Sequence, residues 1–106
     1  MSRRVFIRPA ANQDLDNQAR YIAADSGIET ALRFIESADE TFRLLLSNPL
    51  IGRVAPARNR FLAGTRMFPI KHFRDSIVFY RPVRKGIEIV RVVHGSRDLE
   101  ELPKPG

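Results

Sequence analysis

Residues 76–98 read SIVFYRPVRKGIEIVRVVHGSRD, and the fold turns on this stretch. Ile77–Tyr80 is an unbroken apolar run, and Ile87–Val93 is apolar except at Glu88 and Arg91. β-branched and aromatic residues fill both segments, as a pleated and largely buried surface requires. Pro82, Gly86 and the cations between them mark a turn. The stretch therefore predicts two antiparallel strands and a compact His-Gly-Ser-Arg-Asp ending. A hairpin this apolar is not stable alone in water and calls for a covering layer.

The N-terminal half supplies that layer. Residues 4–8, RVFIR, alternate apolar and basic, a short strand with Val5 and Ile7 inward. Pro9 is suited to the first turn of a helix. Ala11, Leu15, Ala19, Ile22 and Ala23 then recur at mostly helical spacing, which sets Asp14, Asp16, Gln18 and Arg20 outward, until Asp25-Ser26-Gly27 ends the run. A second helix is predicted over Ile28–Leu46, with Ile28, Ala31, Ile35, Ala38, Phe42 and Leu45 as its inner stripe, widened by Leu32, Phe34, Leu44 and Leu46, and Ser47-Asn48-Pro49 as its stop. The short connection makes the two helices an antiparallel hairpin. The stripe is too short and too broad for a coiled coil, so core packing is its expected role.

Residues 49–64 hold two prolines, two glycines, Arg53, Arg58 and Arg60, and read as a basic loop. Thr65–Phe68 reads as a strand and Pro69–Asp75 as a connection. Asp98 and Glu101 fit a capping box for one final helical turn before Pro103. The expected architecture is a single α+β domain over residues 1–106. It comprises a short N-terminal strand, an antiparallel helical hairpin and a three-strand antiparallel meander, with the helices packed on one sheet face.

Composition excludes several classes. The chain has 106 residues and no cysteine, which removes disulfides and thiolate metal sites. His72 and His94 are its two histidines and have no partner at ligand spacing, so neither a metal nor another cofactor is expected. No stretch reads as a signal peptide or a membrane span, and a cytoplasmic protein is the simplest expectation. Charge is one-sided. Residues 1–50 carry a net −1 and residues 51–106 a net +7. Such a field points to a polyanionic partner, nucleic acid or an acidic protein segment, against the plainer reading of a domain that happens to be basic.

A set of short blocks then becomes recognisable: Asp14-Leu15 with Tyr21-Ile22-Ala23, Asn48-Pro49 with Gly52-Arg53, Arg66-Met67-Phe68-Pro69, Val78-Phe79-Tyr80-Arg81, Gly86-Ile87-Glu88-Ile89, and above all Arg91-Val92-Val93-His94-Gly95-Ser96-Arg97-Asp98. In this order, and across nearly the whole chain, they resemble the ParE toxins of the ParE/RelE superfamily, the toxin halves of bacterial type II toxin–antitoxin pairs. The resemblance implies the β-α-α-β-β-β layout reached above, inhibition of DNA gyrase, and neutralisation by a ParD-like antitoxin in a hetero-oligomer. The residues expected to meet partners are Arg53, Arg58, Arg60, Arg66, Tyr80, Arg81, Arg91 and Arg97. Tyr80 and Phe79 are expected on opposite sheet faces, with Tyr80 or Arg81 available on the face without helices.

The rival within the superfamily is the RelE type, a ribosome-dependent mRNA endonuclease. That chemistry needs a base for the ribose 2′-hydroxyl, an acid for the leaving oxygen and cations around the phosphate. His94, Arg97 and Arg81 would have to supply it. Arginine stabilises charge but is never deprotonated in a protein, so His94 would be the one proton carrier. A lysine-rich motif before the central strands, and a tyrosine or histidine after Asp98, are both missing. The alternation of His94, Ser96 and Asp98 does not make a triad, because side chains two apart on a strand stand parallel instead of converging. The plainer role for His94 is structural, at a strand end; for Arg97 it is a local pair with Asp98 or Glu101.

Overall fold

The computed structural model describes residues 2–56, 60 and 62–95. The chain runs β1 (Arg4–Ile7), α1 (Pro9–Ser26), α2 (Ile28–Ser47), β2 (Arg53–Val54), β3 (Arg66–Ile70), β4 (Phe73–Val83) and β5 (Gly86–His94). The capping box expected at Asp98 and Glu101, and the turn before Pro103, lie outside the described residues. So do Ser96, Arg58 and Arg97.

The five strands form one sheet in the order β1-β5-β4-β3-β2. The β4–β5 hairpin is its centre, with Arg84 and Lys85 as the turn. Strand β3 pairs antiparallel to β4, completing the expected meander. The N-terminal strand lies parallel to β5, Val5 opposite Ile87 and Ile7 opposite Ile89. The basic loop contains one element that sequence did not reveal: β2, two residues antiparallel to β3, with Arg53 opposite Met67. Strand β3 extends to Ile70, so the connection to β4 is only Lys71-His72. His72 closes it at a φ of 67°, and the Lys71 N–H donates to Thr41 Oγ1 of α2.

Both helices lie on one face. Ala11 and Leu15 of α1, with Phe34, Ala38, Phe42 and Leu45 of α2, pack on Ile70, Val78, Tyr80, Ile87, Ile89 and Val92. Phe34 meets Phe73 edge-on at 5.2 Å between ring centroids. The inner stripe of α2 is rotated from the one expected. Phe34 is buried as expected and Ser37 and Thr41 are buried with it, whereas Ile28, Leu32, Ile35 and Leu44 are exposed. Burial of Ser37 and Thr41 is supported by the Thr41 hydroxyl donating to the Ser37 carbonyl, which leaves few polar atoms without a partner. The helices are joined by Gly27 alone, at a φ of 97°, instead of by three residues. A residue with no Cβ adopts that angle without strain.

Helix α1 departs from its expected pattern in a way that shapes the domain. Gln18 is 2% exposed, not outward. Its amide donates to the Val92 carbonyl at 2.9 Å and its oxygen accepts from the Ser76 hydroxyl at 2.5 Å. One turn earlier, Asp14 accepts from the Val92 N–H at 2.9 Å and takes both Nε and Nη2 of Arg91, at 2.7 and 2.8 Å. Polar side chains thus join the apolar contacts of Leu15 in seating this part of α1 on β5. A β-bulge between Phe79 and Tyr80 of β4, opposite the Ile89–Arg91 span of β5, accompanies this arrangement.

On the opposite face the cover is thin. Ala55 and Leu62 from the loop after β2 pack on Phe79 and Val93, flanked by Met67 and Ile77. Phe79 and Tyr80 therefore do point to opposite faces.

Gly86 begins β5 at a φ of 148°, and a Cβ there would lie 1.9 Å from the Arg4 carbonyl oxygen. The β1–β5 pairing requires that close approach. Gly86→Ala should cost about 2–3 kcal/mol or more through overpacking and backbone strain. Gly64→Ala has a φ of 81° but nothing within 4 Å of its Cβ, and should cost only the left-handed penalty of about 1–2 kcal/mol. Urea denaturation midpoints of the two variants check the difference.

Candidate partner-binding site

Tyr80 is fully buried on the helix side, so it is not the surface residue that sequence proposed. Its hydroxyl donates to the Pro49 carbonyl at 2.8 Å and accepts from the Gly52 N–H at 2.9 Å. A Cβ on Gly52 would come within 2.6 Å of that hydroxyl. The pair Asn48-Pro49…Gly52 is therefore a socket for the tyrosine. Arg66 serves the same loop: Nη1 donates to the Gly52 carbonyl at 2.7 Å and the Leu50 carbonyl at 3.3 Å. Burial raises the Tyr80 phenol above its usual range, opposed by the Gly52 N–H and the nearby Arg66 charge.

Arg81 lies on the face without helices, as expected. It pairs with Glu88 at 2.9 Å, and Arg8 reaches the other oxygen of the same carboxylate at 3.1 Å. Hydrogen bonding from Arg8 holds the Glu88 carboxyl below its usual range; burial opposes it, and the Arg81 hydrogen bond and both charges add to the lowering. Arg91 is committed to Asp14. Arg53 and Arg60 are exposed, on β2 and in the following loop.

His94 faces the helix side, its strand position opposite Ser76. It lines a cleft of about 420 Å³ with Gln18, Tyr21, His72, Arg74 and Asp75. Arg81 is on the other face and pairs with Glu88, six residues before His94, or roughly 20 Å along the strand. The described members of the hypothetical nuclease set, His94 and Arg81, are not brought together. No group of three or more metal-ligating side chains occurs among the described residues. No helix among them is long and apolar enough to cross a membrane.

Sequence reasoning missed the surface around β1. With Val5 and Ile7 packed inward, Arg4, Phe6 and Arg8 share the opposite face, where Phe6 stays 37% exposed and the Arg4 guanidinium lies 5.5 Å from its ring centroid. The signal was present in the period of two across RVFIR, read only for its inward half.

A second groove of about 610 Å³ runs between α2 and β3, lined by Leu44, Phe68, Pro69, Ile70 and Lys71 among others. Exposed Leu50, Ile51 and Val54 follow α2 in sequence and add apolar surface in the loop and strand beyond it.

Residues 5–99 match the family model described as ParE toxin of type II toxin-antitoxin system, parDE. The chain belongs to the ParE toxin family. Among solved structures, one from the chromosomal ParDE TA system from P. aeruginosa is similar in fold. It has a TM-score of 0.69 and 23% identity, covering 87% of this chain and 92% of that one. No curated protein matches. In this ParE-family domain, then, the Gly52-Arg53 and Tyr80-Arg81 blocks meet in space. One member of each is structural: Gly52 is the floor of the socket and Tyr80 its peg.

Tyr80→Phe leaves the buried Gly52 N–H without its acceptor and should cost about 1–3 kcal/mol. The raised phenol also sets a pH dependence. A folded-state value above the unfolded one gives stability that is intact below about pH 10 and is lost as pH rises through the unfolded and then the folded value. Thermal melts between pH 8 and 11 should show wild type losing more stability than Tyr80→Phe.

Proposed function

We propose that this toxin acts by binding DNA gyrase and blocking its cycle, without catalysing a reaction itself, and that a cognate ParD-like antitoxin silences it in a hetero-oligomer. Membership in the ParE family supports the reading, and the separation of His94 and Arg81 onto opposite sheet faces is the observation that carries its non-enzymatic part. A nuclease needs its proton carrier and its phosphate cations within hydrogen-bonding reach of one phosphate. Arg66 instead serves the loop and Arg91 helix α1, while Arg81 pairs with Glu88 far from His94.

For the antitoxin, the α2–β3 groove and the neighbouring apolar surface of Leu50, Ile51 and Val54 provide the contact area. These residues are 69, 49 and 64% exposed, respectively. Exposed apolar area of that kind, bordered by Lys71 and Arg66, fits an amphipathic segment with acidic flanks. Covering it also stabilises the toxin by mass action.

The toxin incubated with gyrase, ATP and relaxed plasmid should abolish supercoiling and accumulate linear DNA. His94→Ala should inhibit within about twofold of wild type. Gyrase unaffected by folded toxin would sink the reading, and loss of toxicity in His94→Ala alone would return the nuclease to first place. Separately, Leu50→Asp with Val54→Asp should weaken antitoxin binding by tenfold or more in a titration, while gyrase inhibition persists.

A further inference from the structure

Three neighbouring strands present a basic surface whose arginines Arg4, Arg8 and Arg81 are paired with neighbouring groups yet stay partly exposed. On the face without helices, Arg4 of β1 stands in register with Gly86 of β5 and, beyond it, Val83 of β4. The next row is Phe6, Glu88 and Arg81. Arg8 closes the β1 side through its bond to Glu88. The β4–β5 turn adds exposed Arg84 and Lys85, and the Lys85 carbonyl accepts from the Arg4 N–H. Five cations thus lie in or beside these rows, and the carboxylate among them is Glu88. Among the described residues, the loop cover of this face, Ala55 and Leu62, packs on Phe79 and Val93.

Phe6 is 37% exposed beside the Arg4 guanidinium, and this combination sets the chemistry a partner would need. A ring flanked by guanidinium groups offers a stacking plane for a base and cations for the phosphates on either side. Arg4 and Arg8, four strand residues apart, are separated by roughly 13 Å with Phe6 midway. A base stacks its whole plane on such a ring while its flanking phosphates reach the arginines, a spacing that a nucleic-acid strand supplies directly. Both oxygens of Glu88 are engaged by arginine, so these rows lack a free carboxylate to accept a ribose 2′-hydroxyl, the group by which RNA is told from DNA.

We infer that this open end of the sheet, centred on Phe6, is a docking site for single-stranded DNA. The choice of DNA over RNA rests on the gyrase reading as well as on Glu88; binding itself does not depend on gyrase. The site is distinct from the α2–β3 groove, which lies on the other face, so DNA and an antitoxin segment in that groove would not compete.

The test is fluorescence anisotropy with a labelled 12-nucleotide oligo(dT), titrated with toxin at several salt concentrations and without gyrase. Binding should weaken with salt. Arg4→Ala and Arg81→Ala should each lower the slope of log affinity against log salt by about 0.7, the share of one phosphate on a single strand. Phe6→Leu should weaken binding about tenfold with no change of slope, because it removes stacking and no charge. It also keeps an apolar side chain on β1, and circular dichroism confirms that the variants are folded. Arg33→Ala, on the outer face of α2, should change nothing. Equal binding by wild type and Phe6→Leu would overturn the proposal and leave a diffuse electrostatic surface. Tighter binding of oligo(U), or of duplex DNA, would overturn the assignment to single-stranded DNA. Competition by an acidic peptide that is sensitive to Arg4→Ala but not to Phe6→Leu, with no oligonucleotide bound, would make this a protein-docking face instead. Because gyrase is absent, a negative supercoiling assay and a negative anisotropy titration remain separate results.

Discussion

The backbone of Val92 is the point on which the rest of the domain depends. Strand β1 pairs with β5 only from Gly86 to Ile89, so beyond Ile89 the outer edge of β5 needs other partners. Asp14 accepts the Val92 N–H and Gln18 donates to its carbonyl. Two side chains one helical turn apart thus occupy the place of a neighbouring strand. Left bare, such an edge would be a template for pairing with other chains. The same side chains hold Arg91 and Ser76, so one turn of α1 is tied to both strands of the central hairpin. The charge-assisted bonds to Asp14 are the stronger part of this joint. Removing either side chain would expose buried polar groups on the strand, which costs more than the bond alone is worth.

This joint places both helices on one face and makes the molecule lopsided. The helix side receives the large core, while among the described residues the buried cluster on the other face lies at Phe79 and Val93. The uncovered end is where β1 brings Arg4, Phe6 and Arg8. That end owes its exposure to chain order: β1 leads at once into α1, which lies on the other face.

What could be read from sequence follows from this division. Strands β4 and β5 were legible because their apolar runs are long and their turn carries Pro82, Gly86 and cations. The pairing of Val5 and Ile7 with the core was legible from alternation. Helix α2 was legible as a helix but not in its exact rotation. Threonine and serine can be buried when their hydroxyls return to the helix carbonyls, as Thr41 does, and a hydropathy pattern does not register that bond. Gln18 and Tyr80 were assigned outward for the same reason. Each is polar in sequence and fully satisfied in the interior, by partners 74, 58, 31 and 28 residues away. The two-residue β2 had no periodic signal at all, since its existence is fixed by its partner β3. Of the residues named for partner contact, Arg53, Arg60 and Arg81 reach the surface as expected, whereas Tyr80, Arg66 and Arg91 are drawn into the fold by groups far away in the chain.

Ion pairing of the arginines does not remove the field that a polyanion would meet. Glu88 lies between Arg8 and Arg81, so one negative charge is shared by two positive ones and the trio remains net positive. The pairing instead changes the entropy of binding. A free arginine loses about 2 kcal/mol of rotamer freedom when it is fixed on a ligand, whereas Arg8 and Arg81 are already held by the carboxylate, and Arg4 by the Phe6 ring. A phosphate arriving at these guanidinium groups meets donors whose ordering cost was met during folding. Placing the one carboxylate of these rows between two arginines therefore organises the basic surface without neutralising it.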